Sequence, residues 1–196
     1  MRRLLSRLGR DRRGVTVIEF ALVAPTMCLL IMGLCDFTYQ GYLQAILTGA
    51  LQKAGRDTTI QGSTARTSSL DAAVIGQVRG VAKNATYTAT RKSYASFSSI
   101  APEVFQDNNA NGVYDQASEC FTDINGNNQW DSDPGTAGVG GANDVVLYTI
   151  RVTYPRLFPM AGLMGWSQDQ TISASTVLKN QPYAAQTSYT AKQVCP

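Results

Sequence analysis

Twenty residues from Val15 to Leu34, VTVIEFALVAPTMCLLIMGL, are nearly all apolar, with Thr16, Glu19 and Thr26 the clearly polar exceptions. As a helix this run covers roughly 30 Å, the hydrocarbon thickness of a bilayer. Six arginines (Arg2, Arg3, Arg7, Arg10, Arg12 and Arg13) and one acid, Asp11, precede it. The positive-inside rule keeps that block in the cytoplasm and exports everything after Asp36. The expected organisation is a basic leader over 1–14, a transmembrane helix over 15–35 and an extracytoplasmic domain over 36–196. With 196 residues, one modest core is the reasonable limit.

The charge distribution argues against nucleic acid as a partner. Six of the 17 basic residues and one of the 14 acidic ones lie before Val15, which leaves 11 and 13 in the remainder, a net −2. A nucleic-acid binder spreads Lys and Arg over a folded face instead. Catalytic signals are also missing. The chain has no histidine, so His-based triads and most catalytic zinc sites are excluded, and no P-loop, CxxC or glycine fingerprint occurs. The expectation is a protein that is not an enzyme.

Glu19 is the anomaly in the apolar run. An ionisable group in a membrane span costs roughly 2.5 kcal/mol or more near its centre and usually marks function. A cleaved secretory signal fits poorly, because MGLCDFTYQG offers no good small-x-small site. A lipoprotein signal fits poorly too, because Leu34 precedes Cys35. The pattern of basic leader, Gly14, four mostly apolar residues, Glu19 and an apolar helix resembles a class III, prepilin-type signal. That resemblance implies cleavage by a prepilin peptidase between Gly14 and Val15. The Val15 α-amine so exposed would lie one helical turn from Glu19, and the α-amine of a neighbouring subunit can offset the cost of burying that carboxylate.

Two segments narrow the resemblance. VTVIEFALVAPTMCLLIMGLCDF carries Glu19, Phe20 and Ala21, with Pro25 six positions after the glutamate, and CFTDINGNNQWDSDPGTAGVGGANDVVLYTIRVTYPRLFPMAGL follows in the body. Together they resemble the TadE-like family, minor pilins or pseudopilins of tight-adherence (Tad) type IV pili. Thr16 and Asn128 are small departures, polar for apolar and asparagine for a common glycine. The resemblance implies a minor pilin acting in pilus initiation or at the tip. It also implies an inner-membrane location with a periplasmic body. Implied partners are a prepilin peptidase, a related pseudopilin, the major pilin, the assembly platform and membrane lipid. The alternatives are an uncleaved, membrane-anchored periplasmic assembly factor and a calcium-dependent tip adhesin.

The residues themselves predict a compatible fold. Phe37, Tyr42, Leu43, Ile46, Leu47, Ala50, Leu51 and Ala54 recur at three- and four-residue steps, extending one helix from Val15 to Arg56. Pro25 removes a hydrogen bond within it and favours a kink. A second helix over about Leu70–Lys83 is expected, capped near Ser68, Ser69 or Asp71, with Leu70, Val74, Val78, Val81 and Ala82 inward. ATYTATRK, VVLYTIRVTY and QTISASTVLK read as strands. The expected class is α+β: a long N-terminal helix and a short second one packed against a small antiparallel sheet, as in pilins.

Within the Asn/Asp/Gly-rich loop over 106–143, two pieces place oxygen-bearing side chains at positions 1, 3, 5 and 9. These are Asp107, Asn109, Asn111 and Asp115, then Asp123, Asn125, Asn127 and Asp131. The pattern is three-quarters of an EF-hand-type loop and suggests calcium. Position 12 holds Ser118 or Pro134, so Glu119 or Asp133 would have to substitute. The bland reading is a set of Asx-turns. Cys120 and Cys195 fall in the exported body and invite a disulfide, which would bring QPYAAQTSYTAKQVCP back over the domain. Cys28 and Cys35 read as small packing residues. The cluster Leu157, Phe158, Met160, Leu163, Met164 and Trp166 reads either as core folded over the sheet or as a subunit contact.

Overall fold

The computed structural model describes residues 14–61, 67–158, 162, 165–180 and 190–196. The arginine block, Met160, Leu163, Met164 and the tail from Gln181 to Tyr189 lie outside them. The described elements are α1 (Val15–Gln61), α2 (Thr67–Arg79), β1 (Thr86–Tyr94), a 3₁₀ turn (Phe97–Ser99), β2 (Phe121–Asp123), β3 (Thr136–Ala137), β4 (Val145–Pro155), β5 (Asp169–Lys179) and β6 (Lys192–Val194). This is the α+β class read from the sequence. The chain divides into two compact units, Met1–Tyr42 with Pro155–Gln170, and Leu43–Tyr154 with Thr171–Pro196.

In the first unit, α1 continues through Pro25 and leaves its apolar side chains outward. Val17, Ile18, Phe20, Leu22, Leu30 and Leu34 are all exposed. The most apolar 18-residue window has a mean hydropathy of 2.2 and none of it is buried, so this helix is long and apolar enough to cross a membrane. An apolar helix surface left uncovered by the described residues has a composition compatible with lipid.

In the second unit the same helix becomes amphipathic. Leu43, Leu47, Ala50, Leu51 and Ala54 are buried, a three-and-four spacing that forms one stripe. They share the core with Val74, Ile75 and Val78 of α2 and with Val145, Val146, Tyr148, Ile150, Val152 and Tyr154 of β4. From Val146 onward, burial on β4 alternates as a half-buried strand requires. Each of the three leucines contributes about 1.5–3 kcal/mol by leaving water.

The main sheet has the order β3-β1-β4-β5. β1 and β4 are antiparallel, in register from Thr86 opposite Thr153 to Tyr94 opposite Val145. Hydroxyl pairs Thr149–Ser175 and Thr153–Thr171 link β4 to β5. The Gln44 amide of α1 donates to the Ser173 carbonyl of β5 at 2.9 Å, which ties the helix to the sheet. The three expected strands lie where the alternation placed them, within two residues at either end. β2, β3 and β6, two or three residues each, are too short to show a period.

α2 departs from expectation at both ends. It starts at Thr67, so Ser68, Ser69 and Asp71 lie inside it rather than capping it. Asp71 accepts from Arg91 and from the Tyr148 hydroxyl, and the Arg91 guanidinium sits 4.3 Å from the Tyr148 ring centre. The helix ends at Arg79, after which the Val81 and Ala82 amides both turn back to the Val78 carbonyl. That tight turn sends Val81 outward, whereas Ala82 stays buried.

Candidate functional site

Two places carry the residues singled out in the sequence. The first is the start of α1. Gly14 immediately precedes the helix, and its carbonyl receives the Ile18 amide at 3.2 Å. Among the described residues nothing lies within 4 Å of where a Gly14 side chain would be, and Val15 and Glu19 are both exposed. Glu19 lies one turn beyond Val15, exposed among mostly apolar side chains.

The second place is a pair of loops, loop 1 (Asp107–Asp115) and loop 2 (Asp123–Asp131). In each, the side chains at positions 3 and 5 converge on the carboxylate at position 9. Asn109 and Asn111 donate to Asp115 at 2.6 and 3.0 Å. Asn125 and Asn127 donate to Asp131, both at 2.7 Å. Asx-turns run from position 3 to 5 and from 5 to 7 in both. The first aspartate of each accepts the position-6 amide at 2.8 Å, from Gly112 to Asp107 and from Asn128 to Asp123. Positions 4 and 6 take positive φ in both loops, at Ala110 (59°) and Gly112 (74°), and at Gly126 (85°) and Asn128 (57°).

The correspondence extends beyond the loops and was missed in the sequence pattern. Residues 103–118 and 119–134 are a tandem repeat in which Glu103 matches Glu119, Phe105 matches Phe121 and Tyr114 matches Trp130. The two copies meet antiparallel at a bridge between Phe105 and Phe121. The Tyr114 and Trp130 rings stack with centroids 5.2 Å apart, and Phe105 meets both edge-on.

The glutamates are exchanged between the copies. Glu119, which opens the second copy, accepts the amides of Asn108 and Asp115 in loop 1 at 2.9 and 3.0 Å. Glu103, which opens the first, accepts those of Ile124 and Asp131 in loop 2 at 2.8 and 3.0 Å. Both are buried, at 0% and 2% exposure. A fully buried carboxylate is tolerated when donors satisfy it. Asp133, expected to complete loop 2, instead faces β1, where Lys92 and the Tyr94 hydroxyl donate to it. Those donors pull its carboxyl below the usual range, while burial and the Asp133 charge push the Tyr94 phenol up to about 12. Gly135 permits this approach, since a Cβ there would stand 2.5 Å from the Tyr94 ring.

Cys120 and Cys195 form a disulfide beside the pairing of β2 with β6, where Phe121 lies opposite Val194 and Asp123 opposite Lys192. Closing a separation of 75 residues is worth about 4 kcal/mol on the chain-entropy account. Cys28 and Cys35 are free and exposed, not packed. As a calcium site, each loop offers two carboxylates and two amides. Among the described residues no three His, Cys, Asp or Glu side chains gather as a metal-holding group. In both loops the asparagine amide nitrogens donate to the position-9 carboxylate, so the loops are closed by their own hydrogen bonds.

The chain thus combines one helix long and apolar enough to cross a membrane with an α+β body. Residues 14–56 match the family of TadE-like proteins, beginning at Gly14 and ending at Arg56. The likeness to TadE-like proteins is confined to that N-terminal segment, 43 of the 196 residues. No curated protein and no solved structure matches it.

Proposed function

We propose that this chain is a minor pilin, or pseudopilin, of a Tad pilus, cut by a prepilin peptidase after Gly14. The observation that carries the reading is the start of α1: a glycine with room around it among the described residues, a helix beginning at Val15, and an exposed Glu19 one turn further on. In this reading the subunit waits in the inner membrane with its arginines cytoplasmic and its body periplasmic. Glu19 then docks on the α-amine of a neighbouring pilin, and the subunit primes the fibre or caps its tip. It acts as a peptidase substrate and assembly component with no catalysis of its own. The test is intact mass of the protein from its native membranes, beside a Gly14→Arg variant. A mature chain starting at Val15, lost in the variant, is expected. An uncut chain in the presence of active peptidase would overturn the reading in favour of an anchored assembly factor.

The convergence within the two loops supports a second element, calcium binding. Asp107, Asn109, Asn111 and Asp115, and their equivalents Asp123, Asn125, Asn127 and Asp131, would hold the cation through oxygen. Two carboxylates per loop is a low ligand charge, which places the affinity near 10⁻⁴–10⁻³ M, roughly as in extracellular modules. Millimolar Ca²⁺ should raise Tm over a chelator control, and Asp115→Asn with Asp131→Asn should remove the rise. An unchanged Tm in the parent protein would eliminate calcium from the proposal.

A further inference from the structure

We infer that the stretches 155–158 and 165–168 form a collar in the headgroup region of the bilayer, with Leu157 and Trp166 as its anchors; this rests on α1 spanning the membrane. The apolar run of α1 ends at Cys35, and Asp36 is the first charge after it. That position marks where the helix leaves hydrocarbon. Asp36 is also where the collar is tied. Arg156 Nη1 donates to its carboxylate at 2.7 Å, and the Leu157 amide donates to the other oxygen at 3.3 Å. The returning end of the segment is fastened through the same arginine, whose Nε donates to the Ser167 carbonyl at 3.1 Å and whose backbone amide donates to Gln168 at 2.9 Å.

One ion pair therefore holds both ends of the segment at the depth of the membrane boundary. Asp36 and Arg156 are each about one-fifth exposed, so the pair is shielded, whereas Leu157 is 50% and Trp166 63% exposed. Tryptophan has an apolar ring and one N–H, and it is enriched where apolar and wet surroundings meet. Arginine there keeps its charge at headgroup level while its stem covers apolar surface. Leu157 is held against Asp36, the first charge after the apolar run, and this adjacency to the span selects lipid as the occupant over a neighbouring subunit.

The experiment uses the full chain, one copy per nanodisc of phosphatidylcholine and phosphatidylglycerol, with lipids brominated near the headgroup or near the chain end. Trp166 emission is the difference between the parent protein and Trp166→Phe, which leaves Trp130 in place. Shallow bromine should quench it roughly twofold or more over deep bromine. Leu22→Trp in the Trp166→Phe background should show the reverse preference. If Leu22→Trp is quenched by deep bromine but Trp166 by neither, the collar is refuted while the span stands. If neither tryptophan is quenched, the span itself fails. Arg156→Gln should abolish the shallow quenching of Trp166 without changing that of Leu22→Trp. Retained quenching would refute the ion pair as the tether.

Discussion

The two copies of the repeat share seven equivalent hydrogen bonds, yet they differ in burial. Asp107 is exposed, whereas Asp123, its equivalent, is 0% exposed. Loop 2 is attached on two sides: Asp123 lies in β2 opposite Lys192, and Asp133 is bound by Lys92 and Tyr94 of β1. At the position equivalent to Asp133, the first copy has Ala117, which offers β1 nothing to hold. The same short-range pattern thus builds the same loop twice, while a few long-range contacts decide which copy becomes structural and which stays open to solvent.

Removing the first aspartate of each loop should break that parity most strongly. Asp123→Ala strands the part-buried amides of Asn125, Gly126 and Asn128. At about 1–3 kcal/mol for each unsatisfied donor, and with partial rescue by water, a loss on the order of 3–5 kcal/mol is expected. Asp107→Ala frees the Asn111 and Gly112 amides in an exposed loop, where water replaces the carboxylate, so about 1 kcal/mol is expected. Urea unfolding of both variants in the same detergent measures the difference. Equal losses would mean that attachment to β1 and β6 does not govern the contrast.

The glutamates sharpen the comparison in the opposite direction. Because Glu103 and Glu119 are equally buried and make the same two contacts, Glu103→Gln and Glu119→Gln should each cost about 2 kcal/mol, since one amide in each loop then faces a donor. A silent Glu119→Gln beside a costly Glu103→Gln would show that the exchange matters only where the loop is attached.

This reciprocity also explains what the sequence disclosed and what it hid. The membrane-type run, the stripe from Leu43 to Ala54 and the alternation of β4 and β5 are local periodicities, and each was readable from spacing. Positions 1, 3, 5 and 9 of the loops were readable for the same reason. The buried carboxylates were harder, because a search forward from each first aspartate reaches Glu119 one place late for loop 1 and never reaches Glu103, which precedes loop 2 by 20 residues. Aligning 103–118 with 119–134 would have exposed both glutamates and the Tyr114–Trp130 pair. Asp71 shows a different failure: its cap-like neighbourhood at Ser68 and Ser69 concealed a tertiary role with Arg91 and Tyr148.

The attachment of loop 2 to β1 should also appear in the pH dependence of stability. Tyr94 is raised from 10.0 to about 12, through burial and the Asp133 carboxylate. The folded state therefore holds that proton more tightly, and its contribution is complete below pH 10 and falls as pH rises toward about 12. Tyr148 is raised for similar reasons, by burial and Asp71. Tyr94→Phe should therefore reduce the alkaline loss by on the order of 1–2 kcal/mol without abolishing it. Asp133 has the opposite sign. Its lowered pKa stabilises above the ordinary carboxylate value and is lost as pH falls below it. With its side chain 45% exposed, that acid-side effect is screened and small. An alkaline profile identical in parent and Tyr94→Phe would remove this contact from the list of attachments.

The smallest effect separates backbone geometry from attachment. Ala110 and Gly126 are equivalent and both take positive φ, 59° and 85°, so the first copy places an alanine where the second has glycine. A left-handed alanine costs roughly 1–2 kcal/mol, and glycine at the same place returns part of that through its larger unfolded-state entropy. Ala110→Gly should therefore stabilise by about 0.5 kcal/mol, and Gly126→Ala should destabilise by about 1 kcal/mol. Ala110 lies in the exposed loop, so its gain reports backbone strain with little packing mixed in. If Ala110→Gly instead lowered stability, the chain entropy of the solvent-facing loop would outweigh its strain. The two copies would then differ in stiffness as well as in burial.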